Sequence, residues 1–293
     1  MSDQLQGLRG AMKMKSLGIF HSFSETEVSV IDQTASPGPR SKEQNIPTSL
    51  HIDVKGASKI YPNGTVALQP VDLQIRKGEF VSLLGPSGCG KSTLLRIVAG
   101  LSNPTQGSVQ IPVEGRRAFV FQDATLLPWR TVESNAFLVC ELEGLRKAES
   151  KIRVAEALKM VGLAGFEKAY PRNLSGGMKM RLSLARALAI RPTMFLMDEP
   201  FSAVDEITRE SLQDELLRIW GSEGFTSVFV THNLYEAIYL SHRVVVMSAR
   251  PGRIEKIFDI PFDFPRSPEF RSTAEFAALS KEIGKFLREG SSS

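Results

Sequence analysis

GPSGCGKST, residues 85–93, lies between the apolar run EFVSLLG (79–85) and the segment KSTLLRIVAG (91–100). Phe80, Val81, Leu83 and Leu84 form a short, nearly continuous hydrophobic run, the pattern of a strand buried on both faces of a parallel sheet. Beyond the glycines, Leu94, Leu95, Ile97 and Val98 recur at helical spacing, and Gly100 suits a helix stop. The stretch is therefore a strand-to-helix turn. Its Gly85, Gly90, Lys91 and Ser92 have the spacing of a phosphate-binding loop. Amides without side chains in the way can point at phosphate oxygens, and the following helix adds the partial positive charge of its N-terminus. Lys91 would reach the β- and γ-phosphates, and the Ser92 hydroxyl would ligate Mg²⁺. The other reading, a glycine-rich turn with a solvated lysine, is disfavoured by the strand and helix on either side. The expected ligand is a nucleoside triphosphate.

Bulk properties narrow the setting. The chain has 293 residues, enough for one large domain or two modest ones, with 42% hydrophobic and 23% charged residues. Lys and Arg number 36 against 32 Asp and Glu, a net charge of +4 that is too weak to indicate nucleic acid. No apolar run approaches the roughly 18 residues of a membrane span, so action at a membrane would come from its side. Two cysteines, Cys89 and Cys140, cannot build a disulfide framework, and Cys89 lies inside the phosphate loop; a reducing cytosol is expected.

Residues 1–48 differ from the rest. QTASPGPRSKEQNIPTS is rich in Pro, Ser and Gln and is expected as a disordered or extended segment. Leu5, Leu8 and Met12 fall near helical spacing, but Gly7, Gly10 and Gly18 favour a floppy extension over a membrane-contacting helix. No secretory signal is expected, because no sustained apolar segment follows the basic residues. From Leu50 onward, LHIDV and VDLQI alternate as half-buried antiparallel strands do. MFLM (194–197), VFV (228–230) and VVVM (244–247) are further apolar runs separated by helix-length segments, as in parallel β–α–β construction. Residues 150–162 and 205–220 read as helix. The main domain is expected over 49–255, with a helical subdomain at about 125–180, followed by a 256–293 extension. In that extension Ser272 and Glu275 have capping-box spacing, and Phe276, Leu279, Ile283, Phe286 and Leu287 make one apolar stripe suited to docking on the domain.

Two further motifs carry chemistry. MFLMDEP ends a hydrophobic strand in Asp198 and Glu199. Beside a phosphate loop, Asp198 would hold Mg²⁺ through water and Glu199 would polarise an attacking water as general base. NLSGGMKMR exposes the Ser175 hydroxyl and the Gly176 and Gly177 amides at a second helix start, a second anion site. Two phosphate-binding turns but one lysine-bearing loop make sense if the second turn serves a nucleotide held by another copy.

With these motifs in order, the sequence from about 50 to 255 resembles the ATP-binding subunits of ABC transporters. The resemblance implies a RecA-like parallel α/β core of the P-loop NTPase fold, with an antiparallel β subdomain and a helical subdomain. It implies ATP contacts from Tyr61, which would stack on adenine, from Gly85, Pro86, Ser87, Gly88, Cys89, Gly90, Lys91, Ser92 and Thr93, from Gln122, and from Ser175, Gly176 and Gly177. Ser92, Gln122 and Asp198 would serve Mg²⁺; Glu199 would be the base and His232 its γ-phosphate partner. SAVD, ending at Asp205, matches the loop that bridges the dimer. Met178 and Val204 depart from the glutamine and leucine many members have, both mildly. Two copies would close head to tail around ATP, and hydrolysis would drive membrane permease subunits fed by a separate solute-binding protein. The place implied is the cytoplasmic face of the membrane, peripherally attached. FQDATLLPWRTVESN, EPFSAVDEITRE and SARPGRI look like the subfamily serving nitrate, sulfonate, taurine and related small solutes.

Other expectations attach to single residues. Trp129 reads equally as an interface anchor for a permease helix and as packing within the helical subdomain. Cys89, at a helix N-terminus near Lys91, is expected to have a lowered thiol pKa and to react with maleimide unless ATP protects it, the alternative being a buried, inert cysteine. His21, His51 and His242 are expected as satisfied surface histidines. Two other classes are weighed. A soluble ABC ATPase for DNA repair or translation would carry a long coiled coil or a second cassette. A regulatory nucleotide sensor would be expected to lose Glu199 or His232, and both are present.

Overall fold

A computed structural model describes residues 49–112, 114–248 and 250–290; the expectations for residues 1–48, His21 among them, lie outside the described residues. The alternating segments become two long antiparallel strands, β1 (Leu50–Ile60) and β2 (Val66–Arg76). In β2 the side chains of Val71, Leu73 and Ile75 turn inward and the residues between them outward, as the period of two dictates. Next come β3 (Phe80–Leu84), α1 (Lys91–Val98), β4 (Gln106–Gln110) and β5 (Arg117–Val120). A helical stretch follows: α2 (Val132–Leu142), α3 (Lys147–Met160) and α4 (Gly176–Leu188). The chain then alternates through β6 (Met194–Asp198), α5 (Glu206–Glu223), β7 (Thr226–Thr231), α6 (Leu234–Leu240) and β8 (Arg243–Met247), and ends with β9 (Ile254–Asp259) and α7 (Ala274–Gly290).

Two sheets result. The smaller has the order β2–β1–β4 and is antiparallel; the larger has the order β5–β6–β7–β3–β8–β9, parallel except where β9 runs antiparallel to β8. The phosphate loop leaves the middle of the larger sheet, where ligands of open parallel sheets sit beyond the carboxyl ends of the strands. Every residue of β3, β6 and β7 is buried, and successive side chains feed opposite cores. Phe80 and Leu84 join Phe195, Met197 and Phe229 in one core with α2, α3, α4 and α5. Val81 and Leu83 join Leu196, Val228 and Val230 in the other, which the antiparallel sheet and α1 cover. Truncating Phe80 to Ala would open a cavity on one face at a cost of about 3–5 kcal/mol.

β4, β5 and β9 escape the hydrophobic pattern because they are short or lie at a sheet edge with few buried side chains. The α7 stripe docks as its spacing requires: Phe276 and Ile283 are buried, and Phe276 stacks on Tyr235 with ring centroids 6.1 Å apart. The capping box at Ser272 is corrected. A 3₁₀ turn takes Pro268–Ser272, and Thr273 caps the helix by accepting the Phe276 amide at 3.2 Å. His51 and His242 are corrected as well. His51 is buried, and burial with nearby Lys77 lowers its pKa. His242 stands between Trp220 and Phe264, at centroid distances of 5.1 and 4.4 Å, and its Nδ1 accepts the Phe80 amide at 3.1 Å. Among the described residues no helix is long and apolar enough to cross a membrane.

Candidate nucleotide site

The glycines of the loop are required by geometry at two positions. Gly88 and Gly90 have φ of +77° and +91°, a left-handed backbone that costs other residues strain. A Cβ on Gly90 would also stand 2.6 Å from the Ala67 carbonyl oxygen. α1 therefore begins at a left-handed Gly90 with no side-chain cap, which leaves its first-turn amides for a ligand. Lys91 is buried and points back into the loop, its Nζ donating to Gly85 O at 2.8 Å and Pro86 O at 2.9 Å and lying 3.8 Å from Glu199 Oε1.

β6 delivers the two carboxylates. Ser92 Oγ donates to Asp198 Oδ1 at 2.7 Å. Burial pushes the Asp198 carboxyl above its usual range, against the pull of the Ser92 bond and of Arg96 and Lys91. A hydroxyl and a carboxylate side by side are hard oxygen donors, which suit Mg²⁺. No cluster of three or more His, Cys, Asp or Glu side chains converges among the described residues, and Mg²⁺ in phosphate sites keeps most of its shell from water and phosphate. One residue on, Glu199 adopts φ +45°, a conformation that costs a non-glycine residue about 1–3 kcal/mol. Its amide donates to Val230 O at 3.0 Å, and its side chain meets His232 Nδ1 at 2.9 Å through Oε2. The strained turn thus directs the carboxylate toward both Lys91 and His232.

A cavity of about 440 Å³ brings Tyr61, Ser87, Gly88, Lys91, Gln122 and Glu199 together. Ser92 and Thr93 line it as well, and Tyr61 Oη lies 3.4 Å from Thr93 Oγ1. Pro86 is exposed at the loop tip. Ser175, Gly176 and Gly177 do not line this cavity. Ser175 and Gly176 are exposed at the start of α4, where Ser175 Oγ accepts the Met178 amide at 3.2 Å. Asp205 caps α5 by accepting the Thr208 amide at 3.0 Å.

Cys89 overturns the expectation of a reactive thiol. It is fully buried, and burial raises its pKa more than Lys91 lowers it. Arg250 lines the cavity too, although no phosphate-loop pattern includes it. Its segment, SARPGRI, enters the sequence reading only as a mark of resemblance to the nitrate, sulfonate and taurine subfamily.

Behind the Glu199–His232 pair lies a buried polar chain. Thr231 Oγ1 donates to Glu236 Oε2 at 2.5 Å and accepts the Asn233 amide at 2.9 Å. Arg209 Nε lies 3.6 Å from Glu236 Oε1, and its Nη2 donates to Val204 O at 2.9 Å. Arg209 therefore connects the SAVD segment to the residue that precedes His232.

The segment after Gln122 is equally held. Asn135, wholly buried, accepts the Leu127 amide at 2.8 Å and donates to the carbonyls of Leu127, Arg130 and Thr131. Arg186 of α4 donates to Ala124 O and Thr125 O, each at 2.9 Å. Trp129 stands on this fixed segment with 73% of its surface exposed.

Comparison with known proteins agrees with this geometry. The sequence profile of the family described as ABC transporter matches residues 68–202. The chain is 48% identical over 250 residues to an uncharacterized ABC transporter ATP-binding protein of Methanocaldococcus jannaschii, covering 82% of this chain and 92% of that protein. It is 44% identical over 243 residues to an aliphatic sulfonates import ATP-binding protein of Bacillus cereus, covering 80% of this chain and 94% of that protein. Among solved structures, a dimeric ATP-binding cassette in a post-hydrolysis state bound to ADP and Pi superimposes with a TM-score of 0.65 at 33% identity, over 72% of this chain and all of that one. The chain belongs to the ATP-binding proteins of the ABC transporter family and is an ATPase of the P-loop fold.

Proposed function

We propose that this chain powers a membrane importer for a small solute such as a sulfonate, nitrate or taurine, from the cytoplasmic face of the membrane. The observation that carries the reading is Glu199, whose carboxylate lies beside Lys91 at the cavity and bonds His232 through its other oxygen, with Ser175 and Gly176 exposed elsewhere on the chain. The sulfonate-import name of the Bacillus cereus relative supports the solute class, and the dimeric cassette supports pairing.

In this reading two copies face each other head to tail. The loop amides and Lys91 of one hold the phosphates of ATP, and Ser175, Gly176 and Gly177 of the other cover the γ-phosphate. Ser92, Gln122 and Asp198 would hold Mg²⁺, which would supply positive charge to the phosphate oxygens. Tyr61 offers its ring to the adenine. Glu199 takes a proton from the attacking water as the bond to the ADP oxygen breaks, and His232 holds the carboxylate and the γ-phosphate in register. The clamped segment 124–130, with Trp129 outward, receives a permease subunit, and the permease takes solute from a separate binding protein.

The test is light scattering of Glu199→Gln protein with ATP or ADP, each with Mg²⁺. A monomer-to-dimer shift with ATP alone is expected, because slowed hydrolysis traps the closed pair. A monomer that binds ATP and never pairs would remove the head-to-tail homodimer.

A further inference from the structure

Arg250 shares the cavity with Lys91 but stands on a different part of the chain, in the connection from β8 to β9. That connection is seated against the phosphate loop and β2. Gln69 N donates to Gly252 O at 2.8 Å and Gly252 N to Ala67 O at 3.3 Å; a Cβ on Gly252 would stand 2.1 Å from Cys89 O. The backbone is thus fixed within touching distance of the loop. From it Arg250 reaches over Gly88, its Nε donating to Gly88 O at 3.1 Å. The guanidinium fills the space a side chain at Gly88 would need, since a Cβ there would lie 2.7 Å from Nη2.

Among the described residues the charge on this side chain has no ion-pair partner. Arg253, three residues on, pairs with Glu255 at 2.7 Å, whereas Arg250 makes no ion pair among the described residues. Nor do its Nη1 and Nη2 donate to protein there. A guanidinium held by one Nε bond, with its terminal donors uncommitted, at a cavity that already holds a lysine, matches an anionic ligand with several oxygens.

We propose that Arg250 is a second cationic contact for the polyphosphate of the bound nucleotide, added to Lys91. The inference rests on the reading of this cavity as the nucleoside triphosphate site. It makes the β8–β9 connection part of that site and gives the guanidinium a binding role, with no part in proton transfer.

The experiment measures ATP affinity of the full chain by equilibrium dialysis at low and at physiological salt. It compares wild type, Arg250→Gln, Arg250→Lys and Lys91→Ala, each checked for a native thermal transition. Arg250→Gln is expected to weaken ATP about tenfold at low salt and to flatten the salt dependence, with Arg250→Lys recovering most of the loss. Unchanged affinity in Arg250→Gln would overturn the proposal. So would equal losses in the Gln and Lys variants with the wild-type salt dependence, because that would mark a purely structural bond to Gly88. If wild type bound no ATP, or Lys91→Ala bound it as wild type does, the reading of the cavity itself would fall, a result separate from either outcome for Arg250.

Discussion

Glu199 Oε2 and His232 Nδ1 lie 2.9 Å apart, joining the tip of β6 to the residue that follows β7. If this pair activates and orients the attacking water, replacing either member should strike turnover and spare binding. Glu199→Gln and His232→Ala are each expected to lower kcat by about 10²- to 10⁴-fold. Steady-state ATPase assays beside direct ATP binding measure both. A loss of binding as large as the loss of turnover would refute the assignment.

Arg209 acts at one remove, through Glu236 and Thr231. Arg209→Met leaves a buried carboxylate with one partner fewer, a change that costs about 1–3 kcal/mol of stability. The SAVD segment and the residue before His232 also lose their connection, so kcat should fall while KM for ATP holds. Urea unfolding and kinetics on the same variant test both. A stability loss with unaltered kcat would reduce Arg209 to a structural role.

Cys89 is inaccessible in the folded chain. Maleimide should label it far more slowly in native protein than in protein unfolded in urea, with or without ATP. Mass spectrometry of labelled peptides over time reads this directly. Native labelling as fast as in the unfolded control would contradict the burial.

Trp129 is held outward by a segment that Asn135 and Arg186 fix from beneath. Trp129→Ala should leave ATP binding and the melting temperature near wild type, since the ring covers no core. Transport by the assembled importer should fall, because an exposed aromatic on a rigid loop is the kind of residue that anchors interfaces. Weakened ATP binding in this variant would argue against the permease surface.

His242 gives a pH signature. Burial, and next the charge of Arg266, lower its pKa from 6.5 to about 4. The folded value lies below the unfolded one, so the unfolded chain takes up the proton first as pH falls. Stability contributed by the neutral ring is complete above the unfolded value of 6.5 and is lost between there and about 4. The loss is on the order of 3 kcal/mol. Urea unfolding at pH values above and within that window should show wild type losing more stability than His242→Gln. Equal losses would exclude His242 as the cause.

How far the sequence could be read depended on what each residue's signal rests on. Lys91, Ser92, Asp198 and Glu199 sit where a strand gives way to a turn, and both strand and spacing are local properties of the chain. The central strands were equally legible, since burial on both faces leaves continuous runs such as FVSLL and MFLM. β4, with one half-buried valine among exposed residues, carries no such mark and exists because β1 offers it an edge. Arg250 enters the cavity through a connection 162 residues beyond the loop glycine it touches, and proximity of that kind is not written in any window of sequence. Cys89 misled for the same reason. Its neighbours in sequence, Lys91 and the helix start, argue for a thiolate, while Gly85, β2 and the segment around Gly252 shut out the water a thiolate needs. His242 was misplaced because Trp220, Phe264 and the Phe80 amide surround it from three distant parts of the chain.

The contact between α7 and the start of α6 reaches further than packing. Phe276 stacks on Tyr235, and the bare face of Gly284 leaves room for Leu234, whose Cδ2 would lie 3.3 Å from a Cβ there. Leu234 and Tyr235 follow His232 by two and three residues. The C-terminal helix is therefore a buttress for the corner that carries the histidine: a substitution at Phe276 or Gly284 lies only one packed side chain and two or three residues of backbone from His232.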